Sequence, residues 1–139
     1  MPEVQKKKIF KKRVLLVEDE HAIKVLYSKL LSEAGYEVLH APEGETALDS
    51  VLNEEWDILL LDIMLPRKDG IQVLREAKNH PDWKKGPVVL LTNLNDEKII
   101  SEAYSLGADG YLIKSEVNPP DKLITEVENF LSKYKNETG

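Results

Sequence analysis

Six side chains able to handle a phosphoryl group stand directly after runs of apolar residues. Glu18, Asp19 and Glu20 follow Val14–Val17, Asp62 follows Ile58–Leu61, Thr92 follows Pro87–Leu91, and Lys114 follows Tyr111–Ile113. If the runs are parallel strands, all these groups converge on one rim. Carboxylates crowded there repel one another: at ~5 Å and an effective dielectric near 20, each pair costs about 3 kcal/mol. A carboxyl must then take up a proton, or a cation must sit among them. A ligand set made of oxygens, without Cys or His, points to a hard divalent ion such as Mg2+. Lys114 adds a fixed positive charge and Thr92 a hydroxyl donor. A metal, an ammonium and a hydroxyl around Asp62 form a receptor for a phosphoryl group. In-line transfer would need little beyond positioning and charge neutralisation. Asp62 would be the nucleophile and an acyl phosphate the product.

The elements that must position these groups are legible in the same chain. Leu59, Leu60 and Leu61 read as a strand buried on both faces, ended by Asp62 and the turn signals Pro66 and Asp69-Gly70. Extended runs are also expected at Val14–Val17, Tyr36–His40, Pro87–Leu91 and Tyr111–Ile113. Between them, apolar residues recur at helical spacing. The stripes are Ile23/Leu26/Leu30/Ala34, Ala47/Leu48/Val51/Leu52, Ile71/Leu74/Ala77, Ile99/Ala103/Leu106 and Leu123/Val127/Phe130/Tyr134. Gly35 and Gly107 stand at C-terminal cap positions. His80-Pro81 closes the third helix, and Asn118-Pro119 opens the fifth. Strict alternation of five strands and five helices predicts an α/β fold: a doubly wound, flavodoxin-like parallel sheet of order 2-1-3-4-5, with helices on both faces. That order makes the first and third strands neighbours at the switch point, where ligands bind.

Bulk properties narrow the functional classes. The 139 residues suffice for one domain with a full core, and 42% hydrophobic with 32% charged residues describes a globular chain. With no cysteine, disulfide, thiolate and Cys-based metal chemistry are excluded. No apolar run reaches the ~20 residues of a membrane span, and no secretory core opens the chain, so the cytoplasm is expected and no membrane. The net charge of −6 divides into about +5 over residues 1–13 and −11 over the rest. The basic arm reads as a solvated leader, with nucleic acid or anionic lipid as the other reading. The acidic body argues against nucleic acid as the main partner. Expected boundaries are a basic arm over 1–12, the α/β domain over 13–134 and a polar tail over 135–139.

Four segments together resemble the receiver domains of two-component response regulators, over nearly the whole chain. They are Val14-Leu15-Leu16-Val17-Glu18-Asp19-Glu20, Leu59 to Pro66 with Asp69-Gly70, Val89-Leu90-Leu91-Thr92, and Gly107 to Lys114, with 43, 30 and 22 residues separating Asp19, Asp62, Thr92 and Lys114. The resemblance implies a stand-alone, chemotaxis-regulator-like module that is not a turnover enzyme. It implies that Asp62 takes phosphate from a histidine kinase or phosphotransfer protein. Asp19 and Asp62 would ligate Mg2+ with the backbone carbonyl of Met64, and Glu18 would act through a metal-bound water. Thr92 would hydrogen-bond the phosphoryl group, Lys114 would pair with it, and Tyr111 would change exposure as the switch. No effector domain is expected within the chain, so output would run through a downstream protein; homodimerisation on phosphorylation stays open. Two departures stand out. Ser115 replaces the proline that many members carry after the lysine, which favours a trans link because a cis bond there costs ~2.5–4 kcal/mol. Bulky Met64 and Leu94 flank the expected path of the hydrolytic water and would slow loss of the phosphoryl group.

Each residue alone has a plainer reading. Asp19 could cap a helix, Lys114 could snorkel from a strand end, Thr92 could be an ordinary strand residue and Glu20 a solvated one. His21, His40 and His80 read as surface or packing residues, Trp56 and Trp83 as packing anchors, and Asn95-Asp96 as a helix start. Three rival functions share the pattern: a haloacid-dehalogenase-like phosphatase, a nucleotide- or flavin-binding module, and a receiver-fold adaptor that is not phosphorylated. The first lacks an acid at Met64. The second meets acids at Glu18–Glu20 where a phosphate cradle would need glycines.

Overall fold

Val14, Leu15, Leu16 and Val17 are all fully buried, as a central strand between two helical layers requires. The computed structural model describes residues 11–93, 96–114 and 121–138. Its elements alternate in strict order: β1 (Arg13–Val17), α1 (His21–Glu33), β2 (Glu37–Ala41), α2 (Gly44–Asn53), β3 (Ile58–Asp62), α3 (Gly70–Ala77), β4 (Val88–Thr92), α4 (Glu97–Ser105), β5 (Gly110–Ile113) and α5 (Asp121–Thr138). The strands form one parallel sheet of order β2-β1-β3-β4-β5, as the alternation predicts. Val17 lies opposite Leu61, and Thr92 opposite Ile113, so the strand ends come level at one rim.

Side chains alternate across this sheet and build two separate cores. Val14, Leu16, Ile58, Leu60, Val89, Leu91 and Leu112 face a layer with Tyr27 and Leu31 of α1 and Leu123 and Val127 of α5. Leu15, Val17, Leu59, Leu61, Val88 and Leu90 face the opposite layer with residues of α2, α3 and α4. Burying one such leucine stabilises the fold by about 2 kcal/mol. The rows beneath the rim therefore outweigh the few kcal/mol that crowded carboxylates cost there.

Element ends follow local chemistry. Asp69 caps α3 by accepting from the Gln72 N–H, and Asp96 caps α4 by accepting from the Lys98 and Ile99 N–H groups. Gly35 and Gly107 take φ of 99° and 113° just past α1 and α4, the left-handed geometry glycine tolerates. Trp56 is buried and its Nε1 donates to the Val51 carbonyl at 3.0 Å, while Trp83 packs on the edge of the α2–α4 layer. The expected Tyr36, Pro87 and Tyr111 strand starts each shift by one residue, and α5 runs on through residues 135–138, which read as polar tail in the sequence. The Asn118-Pro119 helix start, Leu94 and the Lys114-Ser115 link lie outside the described residues.

Gly70 fixes the loop that presents Asp62. Its N–H donates to the Ile63 carbonyl at 2.9 Å, and a Cβ at this position would lie 2.5 Å from the Asp62 carbonyl oxygen. Gly70→Ala must push α3 away from the end of β3. Urea unfolding is expected to show a loss of about 1–3 kcal/mol.

Candidate functional site

Strand alternation carries past the strand ends. Glu18 extends the Val14/Leu16 row, Asp62 the Ile58/Leu60 row and Lys114 the Leu112 row, all on the side covered by α1 and α5. The Lys114 Nζ reaches Glu18 Oε1 at 2.8 Å, Asp62 Oδ2 at 2.9 Å and Glu20 Oε1 at 3.1 Å. The side chains of Lys114, Asp62 and Glu18 are 4%, 2% and 0% exposed, so these contacts act with little solvent screening. The remaining carboxylate oxygens also have donors. Asp62 Oδ1 accepts from the Met64 N–H at 3.0 Å, and Glu18 Oε2 accepts from the Glu20 N–H at 3.0 Å.

One ammonium does not match three acids. Burial is the main force raising the Asp62 carboxyl to a pKa of about 7. The Lys114 hydrogen bond opposes it, the Glu18 charge adds to it, and the Lys114 charge and Met64 N–H oppose it further. Burial pulls the Lys114 ammonium down, but its hydrogen bonds to Glu18 and Asp62, and their charges, outweigh that and raise it above its ordinary value. Asp19 is exposed, yet one oxygen each of Glu18, Asp19 and Asp62 lies within 4.8 Å of the others. This oxygen set fits a hard divalent cation, which would relieve the excess negative charge.

The structure thus brings Glu18, Asp19, Asp62 and Lys114 into one cluster. Thr92 is buried at the end of β4, where alternation places it on the other side of the sheet, above Val88 and Leu90. It lines a cleft with Ile63, Met64, Asp96, Ile99 and Ile100. Tyr111 is half-buried against the same α2–α4 layer, and the Met64 side chain is 64% exposed beside the rim. Asp19 does not cap α1: the cap position is Glu20, and its side chain makes no cap bond. Glu20 reaches the rim and is solvent-exposed, both as expected, and pairs with Lys114. One participant escapes sequence reasoning. His40, at the end of β2, places its Nε2 2.9 Å from the Glu18 carbonyl oxygen, steadying the acidic loop. The β2-β1 adjacency is the available signal for His40.

Residues 14–128 match the response regulator receiver domain family model. The chain belongs to this family. It is 35% identical over 133 residues to the alkaline phosphatase synthesis transcriptional regulatory protein PhoP of Bacillus subtilis, covering 91% of this chain and 55% of that protein. The chain spans about half the length of the curated relatives it matches. Among solved structures it resembles a CheY-like receiver domain protein from Methanospirillum hungatei, with a TM-score of 0.80 and 29% identity over 92% of this chain and 99% of that one. It also resembles the BeF3-activated receiver domain of Klebsiella pneumoniae RstA, with a TM-score of 0.75 and 32% identity over 86% and 98% of the two chains. The receiver domain has its family's doubly wound sheet, and its buried acid and ammonium sit at the switch point of that sheet.

The raised Asp62 pKa sets a pH-dependent stability. The folded domain holds a proton on Asp62 up to about pH 7, whereas the unfolded chain releases it near 3.8. This contribution is complete below the unfolded value and is lost as pH rises through about 7. In metal-free buffer, Asp62→Asn is expected to raise Tm by several degrees at about pH 8 and by less at about pH 5. Calorimetry at the two pH values measures the difference.

Proposed function

We propose that this receiver domain accepts a phosphoryl group on Asp62 from a histidine kinase or phosphotransfer protein, and thereby switches a protein-binding face around Tyr111. The buried Asp62–Lys114 contact carries this reading, because it holds a nucleophile and a counter-charge where an incoming phosphoryl group would meet both. An Asp62 carboxylate oxygen forms the new O–P bond as the donor's bond to phosphorus breaks in line with it. Lys114 turns from its carboxylate partners to the phosphoryl oxygens, and the Thr92 hydroxyl donates to another of them. A divalent ion such as Mg2+, held by Asp19, Asp62 and the Met64 carbonyl with Glu18 acting through water, would supply neutralisation of the phosphoryl charge. The domain is modified in the reaction rather than turned over, which makes it a switch and not a conventional enzyme. A cytoplasmic setting goes with such a donor; among the described residues no helix is long and apolar enough to cross a membrane.

Phosphorylation adds roughly −2 of charge and three acceptor oxygens at Asp62. Thr92 moving toward those oxygens vacates space on the α2–α4 side, and Tyr111 packs on that same side. The output surface is therefore bounded by α4, β5 and α5, and a downstream protein reads it. Intact mass after incubation with Mg2+ and a small phosphodonor tests the acceptor reading. The wild type is expected to gain one phosphoryl group and Asp62→Ala none; an unmodified wild type overturns it.

The exposed Met64 thioether shields the approach to Asp62. Met64→Asn combined with Leu94→Glu is expected to speed decay of the phosphorylated form several-fold, read by the same mass assay over time. An unchanged decay rate removes the shielding role.

A further inference from the structure

Tyr27 is 3% exposed, and its hydroxyl has no hydrogen-bond partner among the described residues. A buried hydroxyl without a partner costs about 1–3 kcal/mol in proteins, so it calls for an explanation. The ring belongs to the layer formed by Leu16, Leu60, Leu91 and Leu112. Those are the rows that end in Glu18, Asp62 and Lys114. Side chains of a helix lean toward its N-terminus, and the N-terminus of α1 begins at the rim, directly after Glu20. The phenol therefore points up toward the cluster. Burial holds its proton more tightly than in an ordinary tyrosine; the charges acting on it are Lys114, which opposes that rise, and Glu18 and Glu20, which add to it.

Glu18 is the complementary problem. Its carboxylate is fully buried, and its Oε1 is held by the Lys114 charge at 2.8 Å without a well-directed hydrogen bond. When Lys114 turns to a phosphoryl group, that oxygen loses its paired charge inside the protein. One buried acceptor is then stranded at the head of the layer that holds one unused buried donor. We propose that Tyr27 is a positioning residue of the receiver site, whose hydroxyl donates to the Glu18 carboxylate once Lys114 has turned to the phosphoryl group. This rests on the acceptor reading of Asp62. Tyr27 favours the loaded state by holding Glu18 in place, and it gains its hydrogen bond only there.

Tyr27→Phe keeps the ring and removes the hydroxyl. Because no bond is lost in the free protein, its Tm without ligand is expected to stay level or rise. Its affinity for beryllofluoride with Mg2+, measured by calorimetric titration, is expected to fall about tenfold, the usual effect of losing one hydrogen bond to a charged group. In wild type, the Cζ carbon resonance of labelled Tyr27 is expected to shift on beryllofluoride binding. Equal affinities for wild type and Tyr27→Phe overturn the proposal while leaving the acceptor reading intact. So does a Tm loss in free Tyr27→Phe as large as the loss when loaded, which would mark a purely structural ring. A wild type that binds no beryllofluoride ends the acceptor reading, and this proposal with it.

Discussion

The Lys114 ammonium holds the rim together. Glu18 and Asp62 are both buried, and without a cation between them their repulsion in a poorly solvated setting would oppose closure of the sheet end. The lysine directly follows β5, an edge strand separated from β1 by β3 and β4, and its long stem reaches back under cover to the acids. Helix α5 must approach β5 closely to provide the cover. Gly110 permits this, because any Cβ there would lie 2.3 Å from the Phe130 ring. A glycine on one strand and a leucine-rich layer below thus serve the placing of a single charge.

Asp62 is held at a threshold by the same arrangement. With a pKa of about 7, it is divided between proton and anion in the range where a cell operates. A buried carboxylate that is neither fully neutral nor fully compensated responds strongly to added positive charge. The excess negative charge of Glu18, Asp19 and Asp62 that would destabilise a purely structural cluster becomes a driving force for taking up a cation.

Much of this was legible in the sequence because strands buried on both faces write themselves as continuous apolar runs. Leu59, Leu60 and Leu61 are unmistakable in that respect, and the charged residue after each run marks the rim. Alternation and handedness call for a parallel sheet with helices on both faces, and the order 2-1-3-4-5 is the doubly wound one that suits five units of this length. What escaped reading depended on reach across elements. The His40 contact with the Glu18 backbone and the Glu20 contact with Lys114 are set by loop path and side-chain length, which no periodicity encodes. Tyr27 was hidden for another reason. At its helical position an aromatic ring looks like ordinary core, and only the folded surroundings show its hydroxyl unmatched. Strand starts differ by one residue: Tyr36 and Pro87 continue the apolar texture just before the paired ladder begins, whereas β5 starts one residue ahead of Tyr111, at Gly110.

The division of the interior into two layers decides where a substitution is felt first. Glu18, Asp62 and Lys114 cap one layer, whereas Thr92 and Tyr111 belong with the other, and the sheet backbone stands between them. Repacking beneath α2, α3 and α4 therefore bears first on Thr92 and Tyr111, and repacking beneath α1 and α5 first on the buried acids and their ammonium. Only the strand backbones are common to both, so a disturbance on one face reaches the other through the sheet itself.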